Sequence, residues 1–161
     1  MLLFEHFNEI HKICQEHGIE NYTVNTDGTI DVDGDVSLSY KKLTKLPVKF
    51  RNVSGRFSCN NNKLTTLVGA PLSVDGDFDC RSNKLKTLEG APKSVGGGFY
   101  CPHNPFDVIR IMFPNNKEFF NANNYWNFFA GGSKIHKHRF KEALADYNKK
   151  LPTSIPGYEY I

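Results

Sequence analysis

Leu43, Leu64 and Leu85 open three segments that align without gaps at a period of 21 residues: LTKLPVKFRNVSGRFSCNNNK, LTTLVGAPLSVDGDFDCRSNK and LKTLEGAPKSVGGGFYCPHNP. Seven columns recur: the leading leucines; Leu46, Leu67, Leu88; Val53, Val74, Val95; Gly55, Gly76, Gly97; Phe57, Phe78, Phe99; Cys59, Cys80, Cys101; and Asn62, Asn83, Asn104. The pattern reaches back half a repeat through Val32, Gly34, Val36 and Leu38, with Lys41 standing where the Asn column would fall. In each copy Phe-x-Cys alternates inward and outward positions, which predicts strands at 35–39, 56–60, 77–81 and 98–101. A unit this short cannot bury its apolar side alone. Successive copies must therefore stack as a solenoid, each strand pairing in parallel with the next at about 4.8 Å. The amide of the recurring Asn is suited to bonding the backbone groups exposed where the chain leaves the strand. Gly-Ala-Pro at 69–71 and 90–92 excludes helix and predicts an extended or turn-like return path.

The two ends do not repeat. Leu3, Phe7, Ile10 and Cys14 recur at helical spacing and predict an amphipathic helix at about 2–17, stopped by Gly18. Tyr22-Thr23-Val24 and Ile30-Asp31-Val32, separated by a segment containing Asp27-Gly28, predict a hairpin. After Pro105 the chain turns aromatic, and helices are expected at 106–112, 117–129 and 134–149. Gly131-Gly132-Ser133 would end one helix and N-cap the next, and Pro152 and Pro156 force an extended tail. In the last helix Ile135, Phe140, Ala143, Leu144 and Tyr147 form one stripe. The expected fold is α+β, a single domain over 1–161. Residues 1–33 would form a helix-and-hairpin cap, 34–105 the parallel-strand solenoid, and 106–161 a helical C-terminal cap.

Phe57-x-Cys59-x-x-Asn62-x-Leu64-x-x-Leu67 resembles the leucine-rich-repeat core, with Phe and Cys in place of two leucines. The short period and Leu46-Pro47 resemble the compact bacterial branch found in effectors secreted by enteric pathogens. The wording G-x-F-x-C-x-x-N-K-L-x-T-L-x-G-A-P is similar to small repeat proteins encoded by large tailed bacteriophages and some bacteria. The resemblance covers roughly residues 32–105. It implies a leucine-rich-repeat-like scaffold that binds a partner protein, one of a bacterial host if the source is viral. It does not name that partner, because such scaffolds take different partners from one protein to the next.

At 161 residues and 18.3 kDa the chain has the length of one ordinary domain. With 39% hydrophobic and 23% charged residues it is neither disordered throughout nor fibrous. No apolar run approaches bilayer length. Met1-Leu2-Leu3-Phe4 meets Glu5 with no basic or sustained apolar stretch, so a cytoplasmic location is expected, the host's if the source is viral. The net charge of +3 is unevenly spread. Residues 1–42 hold 3 Lys/Arg against 8 Asp/Glu, 43–105 hold 9 against 4, and 106–161 hold 8 against 5, giving −5, +5 and +3. A monomer or weak homo-oligomer is expected.

Three of the four cysteines fall in the inward column, where small apolar side chains belong, so packing is favoured over zinc or disulfide chemistry. Asp31-x-Asp33-Gly34-Asp35 and Asp75-Gly76-Asp77-x-Asp79 resemble fragments of calcium loops. In the first, Gly falls too early for an EF-hand and Lys42 takes the twelfth position. Asp35, Arg56 and Asp77 share an outward column and offer a cross-strand charge ladder instead. His6, His11, His17, His103, His136 and His138 have no spacing that specifies a nucleophile or metal, and no phosphate loop is present. No catalytic residue, metal or cofactor is expected.

Function then rests on surfaces. The outward strand positions form a mixed polar face, and its partner-binding candidates are Arg56, Asn60, Asp77, Asp79, Arg81, Tyr100 and His103. Four strands by three residues cover only about 200 Å², against about 800 Å² per partner in a standard interface, so either the caps contribute contact surface or binding is weak. The expected function is a non-enzymatic protein-interaction module. The alternative is nucleic-acid binding, with Lys134, Lys137, His138, Arg139 and Lys141 on phosphates and Tyr125 or Trp126 stacking. A solvated helix face is the stronger reading of those residues, because the pI of 8.6 lies below the ~9 expected of such domains and no binding motif is present.

Overall fold

The computed structural model describes residues 2–105, 134–145, 150–155 and 159–161. The chain opens with helix α1 (Leu2–His17). Ile10 and Cys14 are buried on its inner side and Ile13 packs beside them. Gly18, at φ 66°, ends the helix in a left-handed cap: its N–H donates to Gln15 O at 3.2 Å and that of Ile19 to Cys14 O at 2.9 Å. The predicted hairpin follows as β1 (Tyr22–Val24) antiparallel to β2 (Thr29–Val32).

From β2 onward the chain winds as a parallel-strand β-solenoid with two sheets. The predicted strands are present, each shortened to a two-residue centre: β3 (Val36–Ser37), β5 (Phe57–Ser58), β7 (Phe78–Asp79) and β9 (Phe99–Tyr100). They form a four-stranded sheet in order β3-β5-β7-β9, wholly parallel and in 21-residue register. The return path is itself a second sheet. Strands β4 (Lys49–Val53), β6 (Ser73–Val74) and β8 (Ser94–Val95) extend the hairpin in order β1-β2-β4-β6-β8. Each coil therefore carries two strands joined at its glycine. A Cβ on Gly76 would lie 2.9 Å from the backbone C and O of Gly55, so a side chain there would push the coils apart. The Gly76 N–H donates to Gly55 O at 3.0 Å.

Between the sheets lies the apolar core. The Phe57 and Phe78 rings are 5.6 Å apart at 6° and those of Phe78 and Phe99 5.2 Å apart at 29°, a stack running along the axis. Phe50 closes it edge-on against Phe57 at 5.0 Å. Cys14, Cys59, Cys80 and Cys101 are free thiols, and all four are fully buried. Burial pushes each thiol above its usual value, which keeps it protonated and unreactive. All four should react with a thiol reagent only at the rate of unfolding, and fewer than four after denaturation without reductant would contradict this. A raised folded-state pKa contributes stability that is present below the unfolded thiol's value of 9.0 and lost above it, so stability should fall in alkali.

The inward Asn column does what its position predicts. Asn83 Nδ2 donates to Cys80 O in its own coil and to Cys59 O in the preceding one, while its Oδ1 accepts the N–H of Leu64. Asn62 and Asn104 repeat the same bonds one coil away on either side. The residue before each ladder position, Tyr40, Asn61, Ser82 or His103, has φ between 54° and 59°.

The α+β description holds for the ends only, since the repeats are entirely β. Expected helices at 106–112 and 117–129, with Tyr125, Trp126 and the Gly131-Gly132-Ser133 cap, fall outside the described residues. The expected helix at 134–149 begins later. Lys134–Ile135 form strand β10, parallel to β11 (Glu159–Tyr160), and helix α2 spans Lys137–Ala145. His136 takes the position before the first turn, its carbonyl accepting the N–H of Phe140 at 3.0 Å. Phe140 and Leu144 are buried as the helical stripe predicts, whereas Ile135 is buried from strand β10. No helix among the described residues is long and apolar enough to cross a membrane.

Candidate binding face

The outer side of the β3-β5-β7-β9 sheet carries one connected polar cluster. Asp79 lies at its centre and is fully buried, although strand alternation points it away from the core. Arg56, from the preceding coil, donates from Nη2 to Asp79 Oδ2 at 3.0 Å, and Arg81 donates from Nη2 to the same oxygen at 2.7 Å. Arg81 Nε adds a bond to Oδ1 at 2.9 Å and Asn60 Nδ2 one to Oδ2 at 3.1 Å. Ser58, also buried, accepts from Asn60 at 2.8 Å and lies 2.9 Å from the Ser39 hydroxyl. The face is tied together across three coils.

Burial alone would push the Asp79 carboxyl up. The Arg81 guanidinium and backbone N–H, the charge of Arg81 and the Asn60 amide outweigh it and hold the carboxyl below its ordinary value. A depressed carboxylate contributes stability that is present above the unfolded pKa of about 3.8 and lost as pH falls through the folded value. Asp79→Asn should therefore flatten part of the acid limb of a stability profile. An unchanged acid limb in urea melts between about pH 5 and pH 2 would show that Asp79 is not coupled to folding.

The two arginines do more than satisfy Asp79. Their side chains remain 46% and 42% exposed. Arg56 Nε and Nη1 and Arg81 Nη1 have no acceptor among the described residues. The Arg81 guanidinium lies 5.8 Å from the centroid of the Tyr100 ring, which is itself 40% exposed. Tyr40 is 74% exposed at the start of the same edge.

Of the seven candidates on this face, Arg56, Asn60, Asp79, Arg81 and Tyr100 are brought together. Asp79 serves from beneath as the anchor of the arginines and has no surface of its own to offer a partner. Asp77 and His103 stand outside the cluster: the Asp77 carboxylate accepts the Gly98 N–H at 2.7 Å, and His103 is exposed. The expected Asp35, Arg56 and Asp77 ladder does not form as a set of ion pairs. Asp35 accepts the backbone N–H of Arg56 at 2.7 Å, while the Arg56 side chain reaches diagonally to Asp79. Sequence reasoning passed over Tyr40, whose left-handed backbone and exposure match those of His103 three coils on.

The acidic fragments resembling calcium loops are occupied in the same structural way. Asp31 is bonded by Arg51, Asn52 and Asn25, and Asp33 accepts from the Ser54 hydroxyl. No three His, Cys, Asp or Glu side chains among the described residues are grouped so as to hold a metal. On the C-terminal segment Lys134, Lys137, His138, Arg139 and Lys141 are all exposed. His138 faces Glu142 at 3.3 Å, and Lys137 lies 6.0 Å from the centroid of the Tyr160 ring.

Comparison of the chain with family models, with curated proteins and with solved structures found no match.

Proposed function

We propose that the protein is a non-enzymatic protein-binding module, leucine-rich-repeat-like in its coil, that docks a partner protein on the β3-β5-β7-β9 face. The observation that carries this reading is the pair of half-exposed guanidiniums held over the fully buried Asp79, with Tyr40 and Tyr100 exposed beside them. A buried carboxylate fixes both arginines before a partner arrives, so little side-chain entropy is lost on binding. Arg and Tyr are the side chains that dominate interface energetics. The resemblance to phage-encoded repeat proteins makes a bacterial host protein the first partner to look for. Nucleic-acid binding through Lys134, Lys137, His138, Arg139 and Lys141 has less support, since Glu142 sits within that basic helix and pairs with His138.

The test is affinity capture from host lysate with the wild-type chain and with an Arg56→Ala/Tyr100→Ala variant, which leaves Arg81 on Asp79. One partner is expected, with affinity reduced at least about 30-fold in the variant, as for a loss of about 2 kcal/mol. A partner bound equally by the folded variant would move the site off this face.

A further inference from the structure

One column of the repeat has a basic side chain with no structural partner. Lys42, Lys63 and Lys84 recur at 21 residues, Lys63 and Lys84 directly after the ladder residues Asn62 and Asn83 and Lys42 after Lys41. All three are exposed. The structural work at this position is done by the backbone: the Lys63 N–H donates to Leu43 O and the Lys84 N–H to Leu64 O, each at 2.8 Å. Those bonds hold successive coils in register, so that the three lysines stand on rungs about 4.8 Å apart, Lys42 with a left-handed backbone at φ 58°.

Like charges opposite one another on neighbouring strands repel. The repeat places its arginines against carboxylates, Arg51 on Asp31 and both Arg56 and Arg81 on Asp79, whose one negative charge leaves that pair of guanidiniums with one positive charge in excess. Lysines are left without a carboxylate among the described residues, and this column is the one in which lysine recurs through three successive coils of them. Any small polar residue would serve the backbone equally well. An uncompensated like-charge ladder is a cost to folding that a negatively charged occupant would remove.

We propose that this lysine column is a docking strip for an extended, carboxylate-rich segment of the partner protein, laid along the solenoid axis with its acidic side chains on Lys42, Lys63 and Lys84. The proposal rests on the protein-binding reading above and gives the partner's chemistry. In an extended peptide, side chains on one face recur about every 6.6 Å, and the flexible lysine stems can spread from their rungs to match. A nucleic-acid strand fits less well. Single-strand sites interleave basic groups with stacking aromatics, and among the described residues Tyr40, two residues before Lys42, is the aromatic that adjoins the column in sequence.

A fluorescein-labelled glutamate decamer, with a glutamine decamer and a thymidine decamer as comparisons, tests this by anisotropy on the full chain. The glutamate decamer should bind at about 20 mM salt and be released at about 500 mM, where the Debye length has fallen to a few ångströms. Lys42→Gln/Lys63→Gln/Lys84→Gln should weaken it about tenfold, as for three exposed ion pairs. The charge-matched Lys45→Gln/Lys49→Gln/Lys93→Gln variant should change it less than about twofold. No binding of the glutamate decamer, equal losses in both variants, or tighter binding of the thymidine decamer would each overturn the proposal. If the glutamate decamer fails while a partner is still captured and lost with Arg56 and Tyr100, the strip is wrong and the binding module stands. Concentration-dependent self-association that disappears in the strip variant, without decamer binding, would identify the acidic first 42 residues of a second copy as the occupant and overturn the proposal likewise.

Discussion

Replacing Asn83 by alanine is expected to destabilise the protein by about 3 kcal/mol, read as a lower urea midpoint at unchanged slope. The Leu64 N–H, in a residue with no exposed surface, has the Asn83 carbonyl oxygen as its acceptor at 3.0 Å and would be orphaned. An unsatisfied buried donor costs about 1–3 kcal/mol. The carbonyls of Cys59 and Cys80 would each lose one of two amide donors, keeping Asn62 and Asn104 respectively. A cavity left by the side chain adds to the loss. Asn62→Ala should cost less, because Leu43, which it serves, is only half-buried and water can take the amide's place. Equal effects at the two positions would mean that the burial of the amide each Asn serves does not set the cost of losing it.

That column was legible because its chemistry is local and repeated. An Asn at one fixed point per coil, just beyond an alternating Phe-x-Cys, has few other uses. The second sheet was harder to see. Ser73-Val74 and Ser94-Val95 place a single apolar residue inward, and one residue has no period. These segments become strands because coils stacked in register bring their backbones within bonding distance, a consequence of tertiary geometry rather than of side-chain alternation. Val53, Val74 and Val95 were visible as a column, and Gly-Ala-Pro before the last two pointed to an extended or turn-like path, but neither signal showed that these segments would pair into a sheet. At the C-terminus, Lys134–Ile135 left the helix for a pairing with residues 25 positions later, which no local signal announces.

The binding face shows the same division. Alternation placed Arg56, Asp79 and Arg81 on one side of the sheet correctly. It could not show that three neighbours would close over Asp79. The signal that existed was a pair of offsets: Arg81 two residues along the same strand face, and Arg56 one coil plus two residues before, the diagonal neighbour in a parallel ladder. Opposite charges at both offsets from one carboxylate point to a buried anchor more than to an exposed contact. Asp77 has no such neighbours and instead holds a backbone N–H.

Phe78→Ala is expected to cost about 4 kcal/mol, more than any other single truncation in the ring stack. Phe78 is fully buried and is the ring with a stacked neighbour on both faces, Phe57 at 5.6 Å and Phe99 at 5.2 Å. Its removal leaves a cavity and strips both partners of a stacking contact worth about 0.5–1.5 kcal/mol beyond area burial. In a solenoid each coil is held chiefly by its neighbours, so a defect in a central coil weakens two interfaces at once and one in a terminal coil a single interface. Phe99→Ala should therefore cost less, Phe99 being 8% exposed with one stacked ring among the described residues. Phe78→Leu should cost about 1–1.5 kcal/mol, since the volume is largely kept. The order Phe78→Ala, Phe99→Ala, Phe78→Leu in urea midpoints would establish that the stack is continuous through the repeats. A larger loss at Phe99 than at Phe78 would place the dominant packing at the C-terminal end of the coils and break the nearest-neighbour picture on which the rigidity of the binding face depends.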